Sequence, residues 1–248
     1  MKIAIVVHGR FHAFDLAREL SRRGHDVSLF TNYPGWAVKR FDVARSRVYS
    51  FGLHGVLSQI FWFLHEQLGF IFPDAFLNKM FGFWVARRVR QESWDVALCW
   101  SGVGEEAFKV LSGKPTLRIC HRSSTHIRTQ AVILELEEKR TGVRIERPSP
   151  WIIRREEREY SLADFIIVLS SFSYDSFVNE GVPSEKLSLL PLGARLQDFR
   201  PSRQLVEKRC QRILSGQPLQ VLNVGTFSSR KGAWDMTCLL YTSPSPRD

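Results

Sequence analysis

Three short stretches carry side chains whose types and spacing could do chemistry. HRSSTHIR, residues 121–128, follows the apolar run TLRIC and gathers two histidines, three hydroxyls and two arginines, among them His121 and Arg122, into one loop. Such a set of donors and acceptors at the tip of a buried strand suits the hydroxyls of a polar ligand, and its position and company favour His121 over His126 as the contact. HGRFHAF, residues 8–14, follows the apolar run IAIVV and carries Gly9 and Arg10. A glycine here lets a ligand approach the backbone at the start of a helix, where free N–H groups and the helix dipole favour an anion. SSRKG, residues 228–232, follows VLNVG; Arg230 offers a planar fork and Lys231 a movable point charge, a pair that suits a diphosphate. A bland alternative stands beside each: Gly9 serving only a turn, a histidine satisfied in a core, a basic pair on a solvated surface.

Other chemistries lose their usual support. The first loop has one glycine where the dinucleotide fingerprint needs three. There is no G-x-S-x-G elbow, no G-x-x-x-x-G-K-[ST] loop, no H-E-x-x-H and no pair of aspartates one residue apart to clamp a metal. The four cysteines, Cys99, Cys120, Cys210 and Cys238, form no C-x-x-C pair and read as reduced, buried thiols, so metal binding is not expected. After Met1 and Lys2 the apolar run IAIVV is too short for a signal-peptide core and far below the roughly 20 residues of a membrane span. A cytoplasmic chain is the expectation.

With 44% apolar and 24% charged residues over 248 positions, a globular chain with a large core is expected rather than disorder. The net charge of +10 favours polyanions. Arginines crowd residues 118–158, and the plain reading of that run is a solvated face with ion pairs to Glu135, Glu137, Glu156 and Glu157. A nucleic-acid binder would need a recognition motif, and none is present; nucleic acid is not an expected partner.

The elements that must position these loops follow from periodicity. KIAIVV is a strand covered on both faces. Ala13, Leu16, Ala17 and Leu20 recur on one helical face, closed by Gly24, and DVSLFT is the next strand. Strand, helix, strand within about 30 residues is a right-handed βαβ unit, which commits the domain to a parallel sheet. VYSFG, WDVALCW, TLRIC, FIIVLS and KLSLLP continue the strands, separated by helices from residue 54 to about 92 broken near Pro73, then GEEAFKVL, TQAVILELEEKR, a helix opened by Ser149 and Pro150, and SYDSFVNEG closed by Gly181. ARLQDFRPSRQLVEKRCQRILSGQP is polar, carries Pro201, Gly216 and Pro218, and reads as a linker with one helical turn. LQVLNVG then reads as the first strand of a second doubly wound domain.

With these pieces placed, the chain resembles a GT-B glycosyltransferase of the large retaining family four. HGRFHAFDLARELSRRGHDVSLFTNYP resembles that family's opening loop, helix and second strand. EREYSLADFIIVLSSFSYDSFVNEGVPSEKLSLLPLGARLQDFRP resembles its most recognisable run, and VLNVGTFSSRKG resembles the first strand and phosphate loop of its C-terminal domain. The resemblance implies an α/β fold: a Rossmann-like doubly wound parallel sheet over residues 1–195 on the acceptor side, a linker over 196–218, and the start of a truncated donor-binding Rossmann-like domain over 219–237. It implies sugar transfer from a nucleotide-diphosphate sugar to an acceptor hydroxyl, with retention and without metal or other cofactor. Cell-surface glycan, polysaccharide or glycolipid synthesis is the setting. His121 matches the histidine that contacts the transferred sugar; Gly9, Arg230 and Lys231 fall on the donor-binding positions; Arg10 and Arg122 are the acceptor-binding candidates.

Two departures bear on this. Thr226 stands where the family often has arginine, and the family's glutamate pair falls beyond residue 248, so the chain alone is expected to be inactive. Residues 238–248, CLLYTSPSPRD, resemble the conceptual translation of a sequencing adapter and read as a non-native tail. The rival reading is a non-catalytic module that holds a glycan or nucleotide. Residues 54–88 are dense in aromatics and followed by basic residues. They read either as helices packing on the sheet or as a surface against the anionic inner membrane face, as a lipid-linked acceptor would require.

Overall fold

The computed structural model describes residues 1–248 except 42, 44–46, 70–72, 194, 195, 219 and 243–248. The chain divides into two compact units, Met1–Val132 with Arg147–Pro191, and Ile133–Glu146 with Leu192–Asp248.

The first unit alternates strand and helix. β1 (Lys2–Val7) leads to α1 (Ala13–Arg22), β2 (Asp26–Thr31), the single turn α2 (Gly35–Val38) and β3 (Val48–Ser50). α3 (Gly52–Leu68) and α4 (Asp74–Val89) intervene before β4 (Val96–Trp100), then α5 (Glu105–Leu111) and β5 (Leu117–Arg122). α6 (Ile127–Thr141) begins in this unit, followed by α7 (Pro150–Leu162), β6 (Phe165–Val168), α8 (Ser171–Asn179) and β7 (Leu187–Leu189). All seven strands are parallel, in the order β3-β2-β1-β4-β5-β6-β7. β1 lies between β2 and β4, so the winding reverses there and a crevice opens beyond the carboxyl ends of β1 and β4. The strands expected in this unit are all present, and β5 runs on through His121 and Arg122.

Why these residues take these places is legible locally. β1 is buried from Ile3 to Val7 because helices cover both faces of a parallel sheet. Gly24 and Gly181, at φ +83° each, end α1 and α8 in the left-handed conformation that costs glycine no Cβ clash. Ser149 caps α7 by accepting from the Ile152 N–H at 3.2 Å, with Pro150 in the first turn. The same hydroxyl donates to Asp74 Oδ2 at 2.5 Å and ties the starts of α7 and α4 together. Pro73 stands immediately before α4, as the break predicts.

α4 buries Leu77, Phe81, Val85 and Val89 at four-residue spacing, with Gly82 and Ala86 beside them. α3 differs: of its described residues only His54 is buried. Leu53, Val56, Ile60, Trp62, Phe63 and Leu68 are exposed. Packing on the sheet therefore describes α4 and not α3, and Phe70 and Phe72 lie outside the described residues. No helix among the described residues is long and apolar enough to cross a membrane.

The second unit departs from the sequence reading. The segment read as a linker forms α9 (Arg203–Leu214), capped by Ser202 accepting from the Leu205 N–H. Fourteen residues without proline or glycine between Pro201 and Gly216 suffice for a helix once a cap is in place. LQVLNVG forms no strand; Leu219 lies outside the described residues, and Leu222 and Val224 are 85% exposed. A lone strand has no neighbour for its N–H and C=O groups and no covering layer, so apolar content alone does not make one. α10 (Ala233–Thr242) runs on through Cys238–Thr242, into the segment read as a non-native tail; residues 243–248 lie outside the described residues. Cys99 and Cys120 are buried, whereas Cys210 and Cys238 are exposed, contrary to the reading of all four as buried.

The arginine run also divides. Arg118 pairs with Asp164, Arg128 with Glu157 and Arg140 with Glu137 and Asp235, as a solvated face would. Arg155 is instead wholly buried, its guanidinium bidentate to Glu106 at 2.5 and 2.8 Å and donating through Nε to the Gly102 carbonyl at 2.7 Å. Gly82 lets α4 lie directly against this pair. A methyl there would sit 2.7 Å from Glu106 Cδ and 3.1 Å from Arg155 Nη2. Gly82→Ala is expected to cost about 1–3 kcal/mol through overpacking, seen as a lower urea midpoint; an unchanged midpoint would rule out so close an approach.

Candidate functional site

The carboxyl edge of the sheet brings together side chains far apart in sequence. Trp100 ends β4 and faces His121 near the end of β5 as its register partner. Their rings stack, centroids 4.4 Å apart and 9° from parallel. His12, in the loop after β1 and at the N-cap of α1, completes a three-ring cluster: its Nε2 lies 2.9 Å from His121 Nε2, and its ring lies 5.1 Å from Trp100. Three adjacent strands thus place these rings at the point where the winding reverses.

The cluster is electrically quiet. Burial pushes the His121 imidazole down to about 4, and the neighbouring His12 adds to the effect. Burial also lowers His12, against the pull of Asp15. Both rings are neutral at pH 7, able to accept and donate hydrogen bonds without charge.

A second set of contacts fixes the loop after β1. Gly9 adopts φ +75°, with open space where a Cβ would be. Its N–H donates to Asn32 Oδ1 at 2.6 Å, and its carbonyl accepts from Thr31 Oγ1 at 2.7 Å. Asn32 is oriented in turn by His54. His54 Nε2 lies 3.0 Å from the Leu77 carbonyl, which can only accept, so Nε2 carries the proton and Nδ1 accepts from Asn32 Nδ2 at 3.3 Å. His8 Nε2 lies 3.4 Å from the same Nδ1, and burial, then His54, pushes its imidazole down to about 3. α3 reaches this loop through Gly55, where a Cβ would collide with the Asn32 carbonyl oxygen.

The sequence-predicted residues fare differently. Gly9 makes the expected turn, but its amide is engaged by Asn32, so the turn offers space to a ligand rather than its own N–H. Arg10 is exposed, its guanidinium 4.0 Å above the Phe41 ring. Arg122, expected to bind an acceptor, is buried and bonded inside the protein: Nε to the Thr125 carbonyl at 2.9 Å, Nη1 to Ser101 Oγ at 3.1 Å and Glu156 at 2.8 Å, Nη2 to Gln130 at 2.7 Å. It holds the loop after β5 in shape. His126 is buried between Tyr160 and Phe177, a core histidine. Arg230 and Lys231 belong to the second unit, both exposed in a 3₁₀ turn closed by Gly232 at φ +72°. Among the described residues no group of three His, Cys, Asp or Glu side chains is placed to hold a metal ion.

Sequence reading missed His12, Trp100, Asn32 and His54. A signal existed for two of them: His12 sits in the loop after the first strand and Trp100 ends the fourth, both facing the crevice. For Asn32 and His54 no local signal exists, since each matters through a partner remote in sequence.

Compared with known proteins, the sequence profile described as Glycosyltransferase Family 4 matches residues 10–198. Among solved structures, sucrose-phosphate synthase from Thermosynechococcus elongatus is similar with a TM-score of 0.58 at 17% identity, over 98% of this chain and 60% of that one. UDP-GlcNAc 2-epimerase from Neisseria meningitidis bound to UDP-GlcNAc gives 0.48 at 11% identity, over 88% and 54%. UDP-GlcNAc 2-epimerase from Methanocaldococcus jannaschii gives 0.47 at 8%, over 76% and 45%. The chain spans about half the length of these structures. A comparison with curated protein sequences gave no match. The similarity to the synthase shows a shared fold.

Neutral burial of the histidines has a consequence for stability. His8 and His121 sit at about 3 and about 4 when folded, against 6.5 for the free side chain. Below pH 6.5 the unfolded chain takes up protons that the folded chain refuses. Stability present above that pH is therefore lost as pH falls toward 4 and then 3, at up to about 1.4 kcal/mol per unit for each residue. Urea unfolding between pH 6.5 and 4 is expected to show a steeper loss for wild type than for the double variant His8→Gln, His121→Gln; equal slopes would count against neutral burial.

Proposed function

The chain belongs to Glycosyltransferase Family 4, and on that premise we propose that the full-length gene product transfers a sugar from a nucleotide-diphosphate sugar to an acceptor hydroxyl, with retention and without a metal. The observation that carries this reading is the neutral ring cluster of His12, Trp100 and His121 at the switch point of the sheet. Uncharged imidazoles beside a flat aromatic surface suit sugar hydroxyls, which both donate and accept, better than they suit a phosphate. The phosphates fall to Arg230 and Lys231: an exposed fork and point charge on a glycine-closed turn stabilise the charge that develops on a departing diphosphate. Arg10, exposed in the loop after β1, is the remaining acceptor contact.

Transfer assays on the full-length gene product are expected to show kcat lowered about 10²-fold by His121→Ala and by Lys231→Ala, the scale of losing one transition-state contact or the residue that positions it. Unchanged turnover in both variants would overturn the assignment. Nucleotide-sugar binding without turnover in wild type would instead favour a non-catalytic glycan- or nucleotide-binding module.

The acceptor side of the proposal is a lipid-linked glycan met at an anionic membrane face. On α3, Leu53, Val56, Ile60 and Phe63 form one exposed apolar stripe; on α4, Phe76 and Phe83 share an exposed stripe with Lys79 and Arg87, and Arg90 follows at the C-cap. Apolar insertion combined with cations is the composition of an interfacial contact. Co-sedimentation with phosphatidylglycerol vesicles is expected to weaken at least tenfold in the Ile60→Asp, Phe63→Asp variant, since each large side chain contributes about 1.5–3 kcal/mol when buried. Equal binding by wild type and variant would remove this surface from the proposal.

A further inference from the structure

We infer that His12 is the imidazole that meets a sugar or acceptor hydroxyl, and that His121 is the positioning residue that sets which nitrogen of His12 can accept from it. The identity of the hydroxyl rests on the glycosyl-transfer reading above; the pairing of the two rings rests on geometry alone.

His121 has little left to offer a ligand. It is 4% exposed, one ring face is covered by Trp100, Nε2 is 2.9 Å from His12, and Nδ1 is 3.4 Å from Ser123 Oγ. His12 is half-buried, closer to solvent, and makes its one ring hydrogen bond among the described residues through Nε2. It stands at the N-cap of α1 without capping it. A histidine that neither caps its helix nor lies in the core leaves Nδ1 for something else.

The contact between the rings decides the chemistry of that nitrogen. Two ring nitrogens 2.9 Å apart hold a single proton between them: two N–H groups would collide and two lone pairs would repel. With both rings neutral, they take opposite tautomers. On its other side His121 Nδ1 faces Ser123 Oγ at 3.4 Å, a hydroxyl able to accept as well as donate, and we place the His121 proton there. His121 Nε2 is then the lone pair, His12 Nε2–H donates to it, and His12 Nδ1 is left as an acceptor. A hydroxyl hydrogen is the natural partner for such an acceptor, and a phosphate oxygen, which has no proton to give, is not. The pair therefore discriminates for hydroxyls through a tautomer fixed by a residue 109 positions away.

Two measurements test this. In this chain labelled with ¹⁵N-histidine, two-bond ¹H–¹⁵N spectra at pH 7 are expected to show His12 as the Nε2–H tautomer and His121 as the Nδ1–H tautomer. His121→Ala should shift His12 toward a mixture of tautomers. The same tautomer on both rings, or a His12 tautomer indifferent to His121→Ala, overturns the pairing. In the full-length gene product, His12→Ala and His121→Ala are each expected to lower kcat/KM at least tenfold, the double variant no further than the worse single, because the rings act as one unit. His12→Asn, which keeps an acceptor near the Nδ1 position, should recover part of the loss. If His12→Ala is silent while His121→Ala is not, the hydroxyl contact belongs to His121 and the inference fails. Absence of transfer in wild type sinks the glycosyl-transfer reading and leaves the spectra to decide the pairing.

Discussion

Arg155 is the interaction on which the rest of the first unit depends. An isolated buried guanidinium would cost many kcal/mol, so its environment is a set of obligatory partners. Glu106 takes it bidentately, the Gly102 carbonyl takes Nε, and Glu105 and Glu159 stand at 3.4 Å. Glu159 in turn accepts from the N–H groups of Gly102, Gly104 and Glu105, the free donors at the start of α5. Burial pushes the Glu159 carboxyl up to about 8, while Arg155 and these amides pull it down. Burial also opposes ionisation of Glu105, but Arg158, Lys109 and Arg155 overcome it and hold the carboxyl at about 2. Remove one partner and another charge is stranded, which makes the loop after β4 a rigid piece rather than a mobile connection.

That rigidity is passed on to the site. One residue along α7 from Arg155, Glu156 holds Arg122 and receives a hydrogen bond from Tyr160 at 2.6 Å. Arg122 then bonds Ser101 from the loop after β4 and Thr125 from the loop after β5. One helix, through side chains on its inner face, therefore braces both loops that flank Trp100 and His121. The loop after β1 has its own brace in Thr31, Asn32 and His54. Charge is confined to the braces, and the rings they surround are neutral. Neutral rings of this kind suit an uncharged hydrogen-bonding group better than an anion.

Much of this architecture was legible in the sequence. The β-branched runs, helical periodicity, Gly24, Gly181 and the Ser149–Pro150 start act within a few residues, and the structure has each where the pattern put it. The place of His121 near the carboxyl end of β5 was legible, because an apolar run marks where a strand ends. Arg122, its neighbour, was an acceptor-binding candidate and lies inward, because its place depends on Glu156 and Gln130, which no local pattern reveals. LQVLNVG failed as a strand for the same reason in reverse: its residues have the propensity, and its backbone has no partner.

The amino-acid sequence by itself determined the parallel α/β sheet, the order in which its elements arise, and the loops that could carry a ligand site, because periodicity and turn chemistry are local. Only the tertiary structure decided that His12 meets His121, that the Gly9 amide is already engaged, and that Arg155 and Arg122 are buried struts. Each of those outcomes turns on which group completes a hydrogen bond or neutralises a charge across many residues of chain, and the energy of a buried polar group is set by that partner rather than by its neighbours in sequence.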